Sequence, residues 1–122
     1  RNAESRGRTN GEFVLGRAEE QLGSLIETFP ARETAIILDP PRTGCPSESL
    51  ELLRRARARQ ILYVSCHPAT LARDVHLLCA DGIYRLERVT PLDMFPQTQH
   101  VECVADLRLA QPGVAPESLS LA

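Results

Sequence analysis

The chain has 122 residues, the length of one ordinary domain built round one hydrophobic core. Its 43% hydrophobic and 25% charged residues exclude a disordered or fibrous class, and its longest apolar runs are too short to span a membrane. A formal net charge of -2 argues against general affinity for nucleic acid, and 4% aromatic content against broad stacking platforms for bare bases, although a local basic patch is compatible with both.

The polar residues 1–12 read as a helix remnant with a turn at Asn10-Gly11, and Phe13–Leu15 as a short strand. Over 17–29 the spacing of Leu22, Leu25, Ile26 and Phe29 predicts a helix that Pro30 stops. "TAIILD" at 34–39 is a continuous apolar run, which predicts a buried strand. It runs into "PPRTG", a loop stiffened by two prolines that cannot donate ladder hydrogen bonds. A helix is expected over 47–58, with Ser47 as its cap and Leu50, Leu53 and Ala56 facing inward. "QILYVSC" at 60–66 predicts a second buried strand. The helix after it shows Leu71, Val75 and Leu78 as its apolar stripe and ends near Asp81-Gly82. Two alternating strands follow, within 83–95 and 101–109, before an aperiodic tail over 110–122 that is expected to be flexible.

Strand–helix–strand–helix followed by a strand pair predicts an α/β fold: a mostly parallel sheet with an antiparallel C-terminal edge. In such sheets ligands lie beyond the carboxyl ends of the parallel strands, where Asp39 and Cys66 fall. No Gly-rich cofactor loop follows a first strand, so the chain looks incomplete at its front. Cysteines 45, 66, 79 and 103 form no CxxC pair and no zinc-like spacing, which fits reduced thiols, a cytoplasmic location and no bound metal.

Several residues can be read in two ways. Asp39 is either a ligand acceptor on a rigid ledge or the anchor of a strand-ending turn. Cys66 stands two residues before Pro68, where the amides and dipole of the following helix favour negative charge, so it is either a nucleophile or an inert strand-end thiol. Glu102, between Val101 and Cys103, is either a base facing a crevice or a solvated strand residue. The arginines at 54, 55, 57 and 59 either touch phosphates or form a solvated helix end.

Three stretches taken together narrow these choices. "LDPPRTG", "YVSCHPATLARD" and "PLDMFPQTQHVECV" resemble, in order and spacing, the C-terminal part of the RNA uracil-5-methyltransferase family. The likeness covers roughly residues 2–109. It implies a partial Rossmann-like methyltransferase domain over 1–109, with its core at 34–109, that uses S-adenosylmethionine (SAM) to methylate uridine in tRNA or 23S rRNA. In the sheet order usual for such enzymes, 3-2-1-4-5-7-6, the chain would supply strand 3 and strands 4 to 7.

By the resemblance, Cys66 is the nucleophile, Glu102 the base, and Asp39 part of the cofactor site. Pro40, Pro41, Arg42 and Thr70 order the loops, and Gln97 and His100 flank the base. His67 departs from the asparagine common in the family, which implies altered loop contacts rather than lost chemistry. Structured RNA is the implied partner of the intact enzyme, with no membrane and no DNA. The isolated chain is expected to bind SAM poorly, to catalyse little, and to be open to non-native self-association, with residues 1–30 docked elsewhere, swapped or mobile. Two other readings stay open: a methyltransferase acting on a nucleic-acid amino group through the DPP loop, and a non-catalytic segment that only folds or binds RNA.

Overall fold

The computed structural model describes residues 15–16, 18–92 and 102–110. Helix α1 (Ala18–Thr28) leads through a short 3-10 turn at Ala31–Glu33 into strand β1 (Ala35–Leu38). Helix α2 (Ser47–Ala56), strand β2 (Gln60–Ser65) and helix α3 (Pro68–Leu78) follow. A second 3-10 turn at Ala80–Gly82 precedes strands β3 (Tyr84–Leu92) and β4 (Glu102–Leu109). The proposed strand at 13–15 falls outside the described residues except for Leu15, which is exposed and not in a strand.

The four strands form one sheet in the order β1-β2-β4-β3. β1 and β2 are parallel, with Ala35 opposite Gln60 and Leu38 opposite Tyr63. β4 is antiparallel to both of its neighbours, so the antiparallel strand lies inside the sheet and β3 forms the edge. This arrangement corresponds to positions 4-5-7-6 of the expected methyltransferase order.

Burial shows why the strands sit this way. Ile61, Tyr63, Ala105 and Leu107 share one face and are almost fully buried, packed with Leu50, Leu53, Leu71 and Leu78 from α2 and α3. A register shift between Leu86 and Arg88 lets Val89 pair with Ala105, so Tyr84, Leu86 and Val89 all meet core-face partners despite their uneven spacing. Tyr84 satisfies its buried hydroxyl on the Ala58 carbonyl at 2.8 Å, and burial pushes its phenol up to about 12.

The burial expected of the apolar strands is only partial. β2 alternates between buried and half-buried residues, and in β1 Ile37 is 69% exposed. Among the described residues β1 has only β2 as a neighbour, and the packed helices cover only one face of the sheet. Ser47 is also corrected: it is the first helical residue, Pro46 holds the cap position, and no side chain caps α2. α1 packs against α2, with Leu22 touching the core and Phe29 half-exposed.

The other face carries a polar cluster on β4. Gln60 and Arg108 each donate to Asp106 at 3.0 Å. Burial alone would raise the Asp106 carboxyl, but the hydrogen bonds from Arg108 and Gln60 and the charges of Arg108 and Arg88 outweigh it and hold it below the ordinary 3.8. A depressed carboxylate stabilises the fold above its unfolded value, and that stability is lost as pH falls through the folded value. Asp106→Asn is therefore expected to be less stable than wild type at neutral pH. The gap should close as pH is lowered below 3.8, which denaturant titrations across acidic pH would measure.

Candidate active site

The carboxyl ends of β1 and β2 and the start of β4 meet along one edge of the sheet. β1 ends at Leu38, and Asp39 follows it, exposed, ahead of Pro40, Pro41 and Arg42. The Gly44 amide donates to the Pro41 carbonyl at 2.8 Å and closes the loop as a tight turn. β2 ends at Ser65, with Cys66 next and half-buried. The Ser65 hydroxyl accepts from the His67 amide at 3.0 Å and donates to the His67 carbonyl at 3.1 Å. That pair of bonds bends the chain at Cys66, between the strand and α3.

β4 reaches the same edge because it runs the other way. Ser65 pairs with Cys103, so Glu102 lies one step further along, level with Cys66, and pairs with Leu92 on its other side. Neighbouring strands stand about 4.8 Å apart. Glu102 is half-buried and, by strand alternation, lies on the face opposite the helices. Asp39 continues β1 on that same face, level with Val64. Gln97 and His100 lie outside the described residues.

His67 holds the N-cap of α3: its Nδ1 accepts from the Thr70 amide at 3.3 Å, with Pro68 in the first helical turn. The imidazole thus does the work that an asparagine side chain would do there. The Thr70 hydroxyl lies 2.9 Å from the Arg42 carbonyl and 3.1 Å from that of His67, and its one proton can serve either. It bridges the proline loop to the bend after Cys66.

Sequence reasoning missed a further group behind this loop. Asp74 of α3 is fully buried. It accepts from the Tyr63 hydroxyl, from the Cys45 amide at 2.8 Å and from Arg73 Nε at 3.0 Å, while Arg73 Nη2 also donates to the Thr43 carbonyl at 2.8 Å. Burial, with Asp74 accepting its hydrogen bond, pushes the Tyr63 phenol far up. A signal did exist in the sequence: Asp74 falls on the apolar stripe between Leu71 and Leu78, where an acid has no business unless it is partnered.

Other candidates find duller places. Arg54 pairs with Glu51 at 3.0 Å and Asp81 at 2.8 Å, and Arg55 with Glu51 at 3.6 Å, so these two arginines answer acids on their own surface. His76 is exposed on α3. All four cysteines are free. No group of three or more His, Cys, Asp or Glu gathers among the described residues as a metal would require. A cleft of about 470 Å³ between α2 and α3 is lined by Gly44, Cys45, Leu50, Asp74 and Leu77, but by neither Cys66 nor Glu102. It backs the loop and lies away from the sheet edge. Among the described residues no helix is long and apolar enough to cross a membrane.

Comparison with known proteins decides what this edge belongs to. Residues 25–109 match the family model described as tRNA (uracil-5-)-methyltransferase. The chain belongs to this family. It is 47% identical over 104 residues to an uncharacterized RNA methyltransferase of Thermosynechococcus vestitus, covering 85% of this chain and 22% of that protein. A second such protein, from Oceanobacillus iheyensis, is 45% identical over 108 residues, covering 88% and 23%. Among solved structures, the Pyrococcus abyssi tRNA (uracil-54, C5)-methyltransferase in complex with S-adenosyl-L-homocysteine superposes with a TM-score of 0.69 at 37% identity. That match covers 87% of this chain and 24% of the archaeal one. The chain therefore spans about a quarter of the length of the proteins it matches.

Two outcomes follow from the local geometry of this family member. His67→Ala removes a cap acceptor and is expected to cost about 1 kcal/mol by chemical denaturation, while His67→Asn keeps the cap and should stay near wild type. Burial pushes the Cys45 thiol up, more than the neighbouring Tyr63 hydroxyl draws it down. Native Cys45 is expected to resist iodoacetamide at pH near 8 and to react on unfolding, read by peptide mass spectrometry.

Proposed function

We propose that the whole protein methylates C5 of a uridine in structured RNA, tRNA or 23S rRNA, with SAM as the methyl donor. The observation that carries this reading is the strand register: it sets Glu102 level with Cys66 at the carboxyl edge of a sheet whose family is uracil-5-methyltransferase. The archaeal relative's complex with S-adenosyl-L-homocysteine, the demethylated form of SAM, supports the same donor here. Residues 34–109, the stretch that runs from β1 to β4, are the core of this proposed unit.

Each residue has a task that its position allows. Uracil C5 is a poor nucleophile until electron density is pushed onto it. The Cys66 thiolate forms a bond to C6, and the displaced π pair makes an enolate whose nucleophilic carbon is C5. SAM, when bound, supplies a methyl group made electrophilic by its sulfonium. Once C5 carries the methyl group, the Glu102 carboxylate takes the C5 proton. The electrons of that C–H bond re-form the C5–C6 double bond, and Cys66 leaves as thiolate. The target base must leave its stack to reach both side chains.

Asp39 fits a cofactor contact. It is an exposed acceptor at the end of β1, beside a strand edge with no partner among the described residues, and the prolines after it bring no competing N–H groups. Thr70 and the turn at Pro41–Gly44 hold the ledge in shape. The isolated chain, about a quarter of its relatives' length, would hold SAM weakly and turn over little.

The test uses the full-length protein, SAM and RNA carrying 5-fluorouridine. Fluorine cannot leave C5 as a proton, so a covalent protein–RNA adduct is expected to persist and to disappear with Cys66→Ala. Glu102→Gln should accumulate adduct on ordinary uridine, with turnover slowed by about 10²–10⁴-fold. An adduct that survives Cys66→Ala would sink the mechanism. Supplying tRNA and 23S rRNA in separate reactions identifies the substrate.

A further inference from the structure

We propose that Asp74 is a positioning residue for this site: with Tyr63 and Arg73 it latches the loop after Asp39 to the helix after Cys66, so that the two segments keep one fixed spacing. The inference rests on the methyltransferase reading for its functional consequence, but its structural part stands on the contacts alone.

A buried carboxylate is tolerated only when its charge and lone pairs are answered. Packing does not require an acid here, since an apolar residue would complete the stripe of Leu71 and Leu78. Asp74 instead draws its donors from three places: Tyr63 on β2, Arg73 on its own helix, and the main-chain amide of Cys45 in the loop. The loop is then held at three backbone points, the Arg42 carbonyl by Thr70, the Thr43 carbonyl by Arg73 and the Cys45 amide by Asp74.

Gly44 shows how closely the loop is drawn in. Its φ is +85°, and a Cβ there would lie 2.6 Å from both Arg73 Nη2 and Asp74 Oδ2. Only a residue without a side chain lets the backbone lie this flat on the pair. Ahead of the latched segment, Pro40 and Pro41 form a stiff arm that ends at Asp39, so what the latch fixes is carried to the ledge. The latch residue and the cap at His67 belong to the same helix, which begins directly after the Cys66 bend.

The experiment compares full-length wild type with Asp74→Asn and Arg73→Met. The second variant changes a half-exposed side chain and keeps the question open to test should the buried substitution fail to fold. Hydrogen exchange of peptides spanning 40–46 should quicken about tenfold or more, while β2 peptides stay unchanged. At matched folded fraction, kcat or the KM for SAM should worsen about tenfold or more, because misplacement of an ångström suffices for such losses. The 5-fluorouridine adduct on Cys66 should still form. Unchanged exchange over 40–46 in both variants would overturn the latch. So would quickened exchange with unaltered kcat and KM, since the contacts would then be merely structural. A wild-type protein that forms no Cys66 adduct would instead sink the methyltransferase reading, and the exchange data would still accept or reject the latch.

Discussion

The carboxylate of Asp74 has no access to water, and the local structure is arranged to answer it. An unpaired charge at that depth would cost several kcal/mol. Tyr63, the Cys45 amide and Arg73 remove that cost together, and each bond constrains the element that supplies it. β2 must present a tyrosine toward α3, the loop after β1 must turn an amide inward, and Gly44 must be glycine to let it approach. The conformation of the loop is thus set from behind, by the core, rather than by its own exposed residues.

The site edge depends on a second constraint, strand direction. Parallel strands end together, and the residues after β1 and β2 supply Asp39 and Cys66. An antiparallel strand placed beside them begins where they end, so the first residue of β4 is delivered to the same edge. A parallel β4 would carry Glu102 to the far side of the sheet. One reversal of direction brings a thiol and a carboxylate to the same end of the sheet although 36 positions separate them in the sequence, from 66 to 102. Among the described residues no helix packs on the opposite face of the sheet, and β1 pairs only with β2.

Element positions were legible from periodicity: β2 ends one residue earlier than expected, and Leu50, Leu53, Leu71 and Leu78 all reach the core. Misreadings came where local pattern has no access to the neighbours. "TAIILD" looks buried because it is apolar, yet Ile37 faces outward since burial depends on what covers the face. Ser47 looks like a cap by residue type, but Pro46 takes that position. The stripe of Leu71, Val75 and Leu78 puts the Asp74 acid on an apolar face, but hydropathy does not name the donors that answer it. His67 shows the reverse: its role as cap follows from its position just ahead of Pro68, where the imidazole accepts from the Thr70 amide.

By itself the sequence determined the alternation of strands and helices, the stiff proline loop, the strand-to-helix thiol and, through three ordered motifs, the family. These follow from short-range chemistry: side-chain period, proline geometry and residues a few positions apart. Only the tertiary structure decided that β4 lies between β2 and β3, that Glu102 stands level with Cys66, and that Asp74 binds the loop to the core. Strand order and buried pairing are settled by contacts between residues far apart in the chain, and a local pattern carries no information about which distant partner will answer it.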